Sequence, residues 1–446
     1  MSSTEPESLR RISRREFHRT SIALGAATAL GSMRVLGAND RLNLGIVGCG
    51  GRGRQILKVF LAQPDVAGMA VCDVYEPFRE AGTKMIGAGS VSMLDFRQLL
   101  DRKDVDVVIV ATPDHWHALH TVAAVRAGKD VYVEKPLSLV VREGRIMIGE
   151  ARAHNRIVAV GSQQRSGQHY QQAIQLVKEG AIGSVHHIDA GMTRNAMPGF
   201  VARELKSGLT SALDWNLWLG PAPAVPFDPF RCIYHFRWFW DYSGGQMTNW
   251  GAHHLDIARW AIGAAAPRAV AGFGGRYALK DGGETPDVQH VVYHFPGCVL
   301  TWTTRDIGRG KSAALTLYGT KGTMELERSG FKIVPEAWTG DLAEPRPSNG
   351  GEGGDAPGMV PGEVKGGNLE EAHVRNFLDC VKSRKRPNAD IEEGHLSAVM
   401  CHLGNLSTKL GRSIKWDATK EQCVGDDEAN RLLTKAYRAP WTLKGL

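Results

Sequence analysis

Gly48, Gly50 and Gly53 stand in G-x-G-x-x-G spacing, and Asp73 follows twenty residues after the last of them. Each position has a physical task. One glycine permits a tight turn, one lets the backbone approach a pyrophosphate, and one lets a helix pack closely on a strand. Gly51 and Arg52 lie inside the same turn. Unpaired N–H groups at the start of a helix would face a diphosphate there. An acid at the end of the next strand accepts from ribose hydroxyls. The chemistry is dinucleotide binding, with Gly48, Gly50, Gly51, Arg52, Gly53 and Asp73 as cofactor residues. The charge on Asp73 favours NAD, because a 2′-phosphate would meet it. Arg79 lies near enough in sequence to leave NADP open.

Lys135 is the second candidate, inside Glu134-Lys135-Pro136 at the end of an apolar run. A lysine at a strand end beside a cofactor loses solvation. Its pKa falls, and it can then exchange protons with a reacting oxygen. The turn Thr112-Pro113-Asp114-His115-Trp116-His117 closes the preceding run. Ligands gather outside the carboxyl ends of parallel strands, so this turn should border the nicotinamide half. His115, His117 and His120 lie close together, but no carboxylate cluster completes a metal set, and no metal is expected.

The elements that must position these residues are legible as hydrophobic runs. Leu44, Ile46 and Val47 read as a buried strand, the residues from Gln55 to Leu61 as a helix, and Met69–Cys72 as a second strand. Asp104–Ala111 is nearly continuous and β-branched, as in a parallel strand buried on both faces. Asp130–Val133 is the next strand, and Val158–Arg165 the last strand with its crossover. Gln163 should face the nicotinamide there, and Arg165 should enter the substrate pocket. His169–Glu179 is an amphipathic helix and Val185–Gly191 opens a second sheet. Asp214–Pro223 holds a short helical segment and a proline-rich turn. Ala269–Tyr277, Gln289–Phe295, Val299–Arg305, Ala313–Tyr318 and Gly322–Glu327 alternate as antiparallel strands do. Gly340–Gly367 has no periodicity and reads as a loop over the pocket. Asn368–Ser383 and Gly394–Leu410 are amphipathic helices.

Composition bounds the rest. The 446 residues are too many for one ordinary core, so two domains are expected. The net charge of +7 is modest, residues 1–38 hold six of the arginines, and Lys382–Arg386 is the one basic run elsewhere. Nucleic-acid binding is not expected. Seven cysteines are scattered singly with no C-x-x-C, which suggests neither a disulfide framework nor a zinc ribbon. Ser13-Arg14-Arg15-Glu16-Phe17 resembles a twin-arginine export signature. The apolar run Thr20–Leu30 follows it, too short to span a bilayer, and Val35–Ala38 offers a cleavage site. A mature chain from about Asn39 would work in a periplasm or outside the cell. Free NAD is scarce there, so tight retention of the cofactor is expected.

Four motifs occur in order: Gly48-x-Gly50-x-x-Gly53, Thr112-Pro-Asp-x-x-His117, Glu134-Lys-Pro136, and Gly244-Gly-Gln-Met-Thr-Asn-Trp-Gly-Ala-His253-His-Leu-Asp256. Together they resemble the Gfo/Idh/MocA oxidoreductases (glucose–fructose oxidoreductase, inositol dehydrogenase and relatives). The resemblance implies a Rossmann domain over 39–163. A substrate and oligomerisation domain with an open, mostly antiparallel sheet would follow over 164–367. Helices packing back on the Rossmann domain would fill 368–446. It implies NAD(P)-dependent chemistry on sugars or cyclitols and homo-oligomeric assembly. Thr112, Pro113, His117, Glu134 and Gln163 join the cofactor set, Lys135 matches the catalytic lysine, and His253 matches the catalytic histidine. Asn249 stands where many members carry aspartate. Spaced four from His253, it should share a helix face with it and orient the ring or bind a substrate hydroxyl. The proton would then leave through His253 and Lys135 alone, or with a contribution from His254 or Asp256. Tyr234–Tyr242 is the densest aromatic stretch. Trp238, Trp240 and Tyr242 are expected to stack on a sugar, with Arg237 and Asp241 on its hydroxyls. A redox-neutral glycosidase, oxidising the sugar only transiently, and a non-catalytic nucleotide sensor are the alternatives.

Overall fold

The computed structural model describes residues 41–200, 212–309, 315–336 and 362–444. The expected leader over 1–38 lies outside them. The first sheet is built from short β-branched runs. It begins with β1 (Leu42–Val47), α1 (Gly51–Leu61), β2 (Val66–Cys72), α2 (Glu76–Ile86), β3 (Val91–Met93) and α3 (Phe96–Leu100). It continues through β4 (Val107–Val110), α4 (His117–Arg126), β5 (Asp130–Val133), α5 (Val141–Ala153) and β6 (Val158–Val160). Its order is β3-β2-β1-β4-β5-β6, all parallel. Val107–Val110 is buried throughout, which is why that run does not alternate. The chain leaves β1 on both sides, to β2 and to β4, so a crevice opens at their carboxyl ends.

After α6 (Gln168–Lys178), the second sheet begins with β7 (Val185–Thr193). The short helix α7 (Trp215–Leu219) and α8 (Ala252–Ile262) precede β8 (Ala269–Gly275), β9 (Val288–Phe295), β10 (Cys298–Arg305) and β11 (Leu315–Gly319). β12 (Gly322–Glu327), β13 (Gly330–Pro335) and β14 (Gly362–Lys365) follow. The chain then forms α9 (Leu369–Ser383), α10 (Ile391–Leu410), β15 (Ile414–Asp417), β16 (Gln422–Cys423) and α11 (Asp427–Arg431). The order is β14-β13-β12-β11-β7-β10-β9-β8-β15-β16, and among the described residues of this sheet only β7 and β10 pair in parallel. β9 and β10 alternate cleanly. Val291, Tyr293, Leu300 and Trp302 point into the helical layer, and their neighbours point away. Among the described residues no helix is long and apolar enough to cross a membrane.

The C-terminal helices complete the first layer. On α9, Phe377 meets Phe60 and Tyr132 edge-on, with ring centroids 6.0 and 5.8 Å apart. Arg375 and Lys382 converge on buried Asp65 at 2.8 and 2.5 Å. The expected loop 340–367 is corrected in part: 337–361 lie outside the described residues, and Gly362–Lys365 extends the sheet as an edge strand. The helix expected over 394–410 starts three residues earlier. Asp390 caps it through its side chain, which accepts from the Glu392 N–H.

Candidate active site

The glycine turn is shaped by space. Gly48 sits at φ +94°, and a Cβ there would lie 2.6 Å from the Ala111 carbonyl. At Gly53 a Cβ would lie 2.0 Å from the Gly48 oxygen, so α1 packs directly on the strand end. Gly50 is the N-cap of α1 with no side-chain cap, no acid occupies the first turn, and nothing stands within 4 Å of a Cβ built on Gly51. This open, uncapped helix start fits a diphosphate. Asp73 sits at the end of β2. Its carboxylate accepts from the N–H groups of Cys49 (2.6 Å) and Tyr75 (2.8 Å), and desolvation lifts its pKa to about 6.

A cleft of about 570 Å³ runs from Asp73 to His253. Gly48, Gly50, Gly51, Arg52, Asp73, Thr112, Pro113, His117, Glu134, Lys135, Gln163, Arg237, Asn249 and His253 line it. Arg52 reaches from α1 to Glu134 at 2.7 Å and to Glu370 on α9. His117 turns one ring nitrogen to the Pro136 carbonyl (2.7 Å) and the other to that of Thr112 (2.9 Å), tying two strand ends together. His115 contacts the Trp218 carbonyl and His120 the Thr112 hydroxyl.

Lys135 crosses to the second half. Its ammonium donates to the Asn249 carbonyl at 2.8 Å and to the Asn249 side-chain oxygen at 3.1 Å. Burial lowers its pKa to about 8. Asn249 lies in a π-helical turn, Met247–Gly251, that opens α8. The expectation that Asn249 orients His253 is corrected: its amide serves Lys135 on one side and Gln246 (3.3 Å) on the other. His253 is 7% exposed, and its Nδ1 is buried without a hydrogen-bond partner. Desolvation, then the positive charges of Lys135 and Arg328, hold its pKa well below the usual histidine value, so the ring is neutral.

Six expected substrate residues lie outside this cleft. Arg165 is pinned to Asp256 at 2.8 Å and to Glu393, and it borders a separate hollow beside Trp260. Asp256 is thereby occupied, and it also accepts from Ser397. Trp238 is fully buried, stacked 4.0 Å from Phe200. Tyr242 is buried between His115 and Trp218. Trp240 covers the Lys409 ammonium, and Asp241 pairs with Arg231 and Lys435. His254 lies behind His253 against Trp250 and Trp302. The 3₁₀ turn His235–Trp238 turns Trp238 inward and gives the cleft Tyr234, Phe236 and Arg237 instead.

Sequence reading missed Tyr75, Phe78, Phe96, Trp250, Arg328 and Glu370, all of which line the cleft, whereas Trp116 belongs to the turn expected there. Tyr75 and Phe78 lie two and five residues after Asp73, so the strand-end rule could have found them. Arg328 sits in the β12–β13 turn and has no local signal.

Two family models match the chain. One is described as the oxidoreductase family, NAD-binding Rossmann fold, over residues 42–162. The other is the oxidoreductase family, C-terminal alpha/beta domain, over 201–270 and 365–443. Together they cover more than half of the chain. A glycosyl hydrolase family 109 protein of Saccharopolyspora erythraea is 41% identical over 114 residues, 24% of this chain and 25% of that protein. Inositol 2-dehydrogenase 2 of the same organism is 27% identical, over 50% of this chain and 54% of its own length. The chain thus spans a quarter to about half the length of these curated relatives. The aldose-aldose oxidoreductase of Caulobacter crescentus, crystallised with glycerol, shares the fold. Its TM-score is 0.63 at 20% identity, covering 84% of this chain and 99% of that one.

The neutral acceptors on Lys135 generate a prediction. Asn249→Asp places a carboxylate on the ammonium and should raise the Lys135 pKa from about 8 by about 1–3 pH units. The pH dependence of reductive methylation at Lys135 reads the shift. An unchanged titration would mean that the pair is not formed in solution.

Proposed function

The chain belongs to the Gfo/Idh/MocA oxidoreductase family. From that premise we propose that it is an NAD-dependent oxidoreductase acting on a secondary hydroxyl of a sugar, cyclitol or glycoside. The observation that carries the reading is the convergence of a neutral histidine, a lysine with a lowered pKa and an open glycine-turn helix start on one cleft. Gly48, Gly50, Gly51 and Asp73 would hold the dinucleotide, and Asp73 favours NAD over NADP. When bound, nicotinamide supplies the hydride acceptor. His253, neutral with a free buried nitrogen, takes the hydroxyl proton. Lys135, charged below about pH 8, stabilises the developing alkoxide while Asn249 holds it in place. Thr112, Pro113, His117, Glu134 and Gln163 line the wall around that point.

A second reading is a redox-neutral glycosidase. The relative of glycosyl hydrolase family 109 favours it. Transient oxidation of the sugar acidifies the neighbouring C–H, elimination expels the aglycone and leaves a C=C bond, water adds across that bond, and return of the hydride then restores the hydroxyl. Homo-oligomeric assembly belongs to either reading. Phe273 (69% exposed) and Val292 (43%) on the sheet's outer face support it, and light scattering reads it.

Lys135→Ala and His253→Ala should each lower turnover by about 10²–10⁴-fold with NADH binding retained. The assay follows NADH at 340 nm beside release of nitrophenol from aryl glycosides. Aglycone without NADH selects the glycosidase, and full activity in either variant removes these roles. Retention of the cofactor is read by heating the purified protein and measuring released NAD(H) by mass spectrometry. A stoichiometric yield is expected, and an empty supernatant means exchange with solution. Export is tested by replacing Arg14 and Arg15 with lysine and fractionating cells. Unaltered delivery to the periplasm would discard the twin-arginine signal.

A further inference from the structure

The charges along the cleft are unevenly balanced. Every carboxylate that lines the cleft has a partner. Glu134 and Glu370 meet Arg52, Asp95 meets Arg97, and Asp73 accepts from two backbone N–H groups. Asp114, deeper in the wall, accepts from Ser243 and is pushed up by desolvation toward its neutral form. Lys135 has only neutral acceptors. Arg237 donates to the Tyr234 carbonyl at 3.2 Å, and its guanidinium lies 4.9 Å from the Tyr234 ring centroid and 4.5 Å from that of Phe236. Arg328 reaches in from the β12–β13 turn and lies 5.1 Å over Trp250. Among the described residues neither arginine forms an ion pair.

Two arginines resting on aromatic faces keep their forks of N–H donors unsatisfied by carboxylate. They lie on different elements, Arg237 in the 3₁₀ turn after Tyr234 and Arg328 on the β12–β13 turn, and both line the cleft with Lys135 and His253. A neutral sugar would leave both guanidinium groups without a carboxylate partner, whereas Lys135 already feels the charges of Glu134 and Asp114. An anion would compensate the guanidinium groups and gain charge-assisted hydrogen bonds.

We propose that the substrate is an acidic sugar whose carboxylate or phosphate seats against the guanidinium groups of Arg237 and Arg328. The inference rests on the oxidoreductase reading above. The field on His253 agrees with it, since Lys135 and Arg328 both push that ring toward its neutral form. Arginine suits the task better than lysine because its planar fork matches a carboxylate or phosphate edge.

The test is calorimetric, on the NADH-loaded protein with D-glucuronate, D-galacturonate, glucose 6-phosphate, D-glucose and D-galactose. At least one acid should bind about 10-fold or more tighter than its neutral counterpart, and that advantage should shrink as salt is raised. The uronate and phosphate arms identify which anion is preferred. Arg237→Gln and Arg328→Gln should erase the preference while leaving NADH affinity intact, and Arg328→Lys should restore part of it. Neutral sugars binding as well as the acids, no acid binding at all, or Arg328→Gln weakening NADH instead would each overturn the proposal. Turnover of neutral sugars without preference overturns it too and leaves the oxidoreductase reading standing. Failure of the wild-type protein to bind NADH removes that parent reading.

Discussion

The chemistry of this cleft depends on where one ammonium group is held. Lys135 leaves the carboxyl end of a parallel strand and donates to both the carbonyl and the amide oxygen of Asn249, 114 residues away. That contact is the polar bridge between the strand end that faces the dinucleotide site and the helix that carries His253. Hydrogen bonds to a charged group contribute about 1.5–3 kcal/mol each. Because both acceptors are neutral, the lysine is positioned without its charge being cancelled. A carboxylate at position 249 would position it too, but would stabilise the ammonium and move its titration upward.

The remaining polar contacts make that bridge possible. Arg52 draws the glycine turn, Glu134 and the C-terminal helix to one point. Behind the site, Arg165 grips Asp256 in a buried pair and reaches Glu393, so the crossover, the His253 helix and the long C-terminal helix meet at one guanidinium. Removing one partner of such a buried pair typically costs about 3–5 kcal/mol, because it strands the other charge. These arginines are therefore committed to architecture. Arg237 and Arg328, lying on aromatic rings, are not. The separation between paired and unpaired arginines leaves two guanidinium groups on the cleft without a carboxylate partner among the described residues.

The π-turn at Met247–Gly251 matters for the same reason. An α-helix through this stretch would place Asn249 and His253 on one stripe, as spacing alone suggests. The wider turn instead brings the Asn249 carbonyl and side chain together onto Lys135. Such turns recur at functional sites because they disturb the regular ladder and re-aim side chains. His253 is left buried beside Trp250 with an unpartnered nitrogen, and desolvation together with the charges of Lys135 and Arg328 holds its pKa well below the usual histidine value.

Much of the nucleotide half was legible in the chain. The glycine spacing, Asp73 and the uninterrupted Val107–Val110 run are local signals, and each answers to a local constraint: space at a turn, an acid at a strand end, burial on both faces. The strands from β8 to β12 and the C-terminal helices were legible through their periods, within a few residues, while β13 to β16 were not. Lys135 stood out as a lysine at a strand end, and the motif resemblance supplied His253. What could not be read was which polar and aromatic side chains face the cleft. Trp238, Tyr242 and Arg165 looked like pocket residues because they neighbour it in sequence, yet a 3₁₀ turn and an ion pair with a distant helix turn them away. Arg328 and Glu370 enter from turns and helices far along the chain, where nothing local marks them. Periodicity reports whether a residue is buried. Its partner is set by long-range packing and by the search of each buried charge for a counter-charge, and both are properties of the assembled fold.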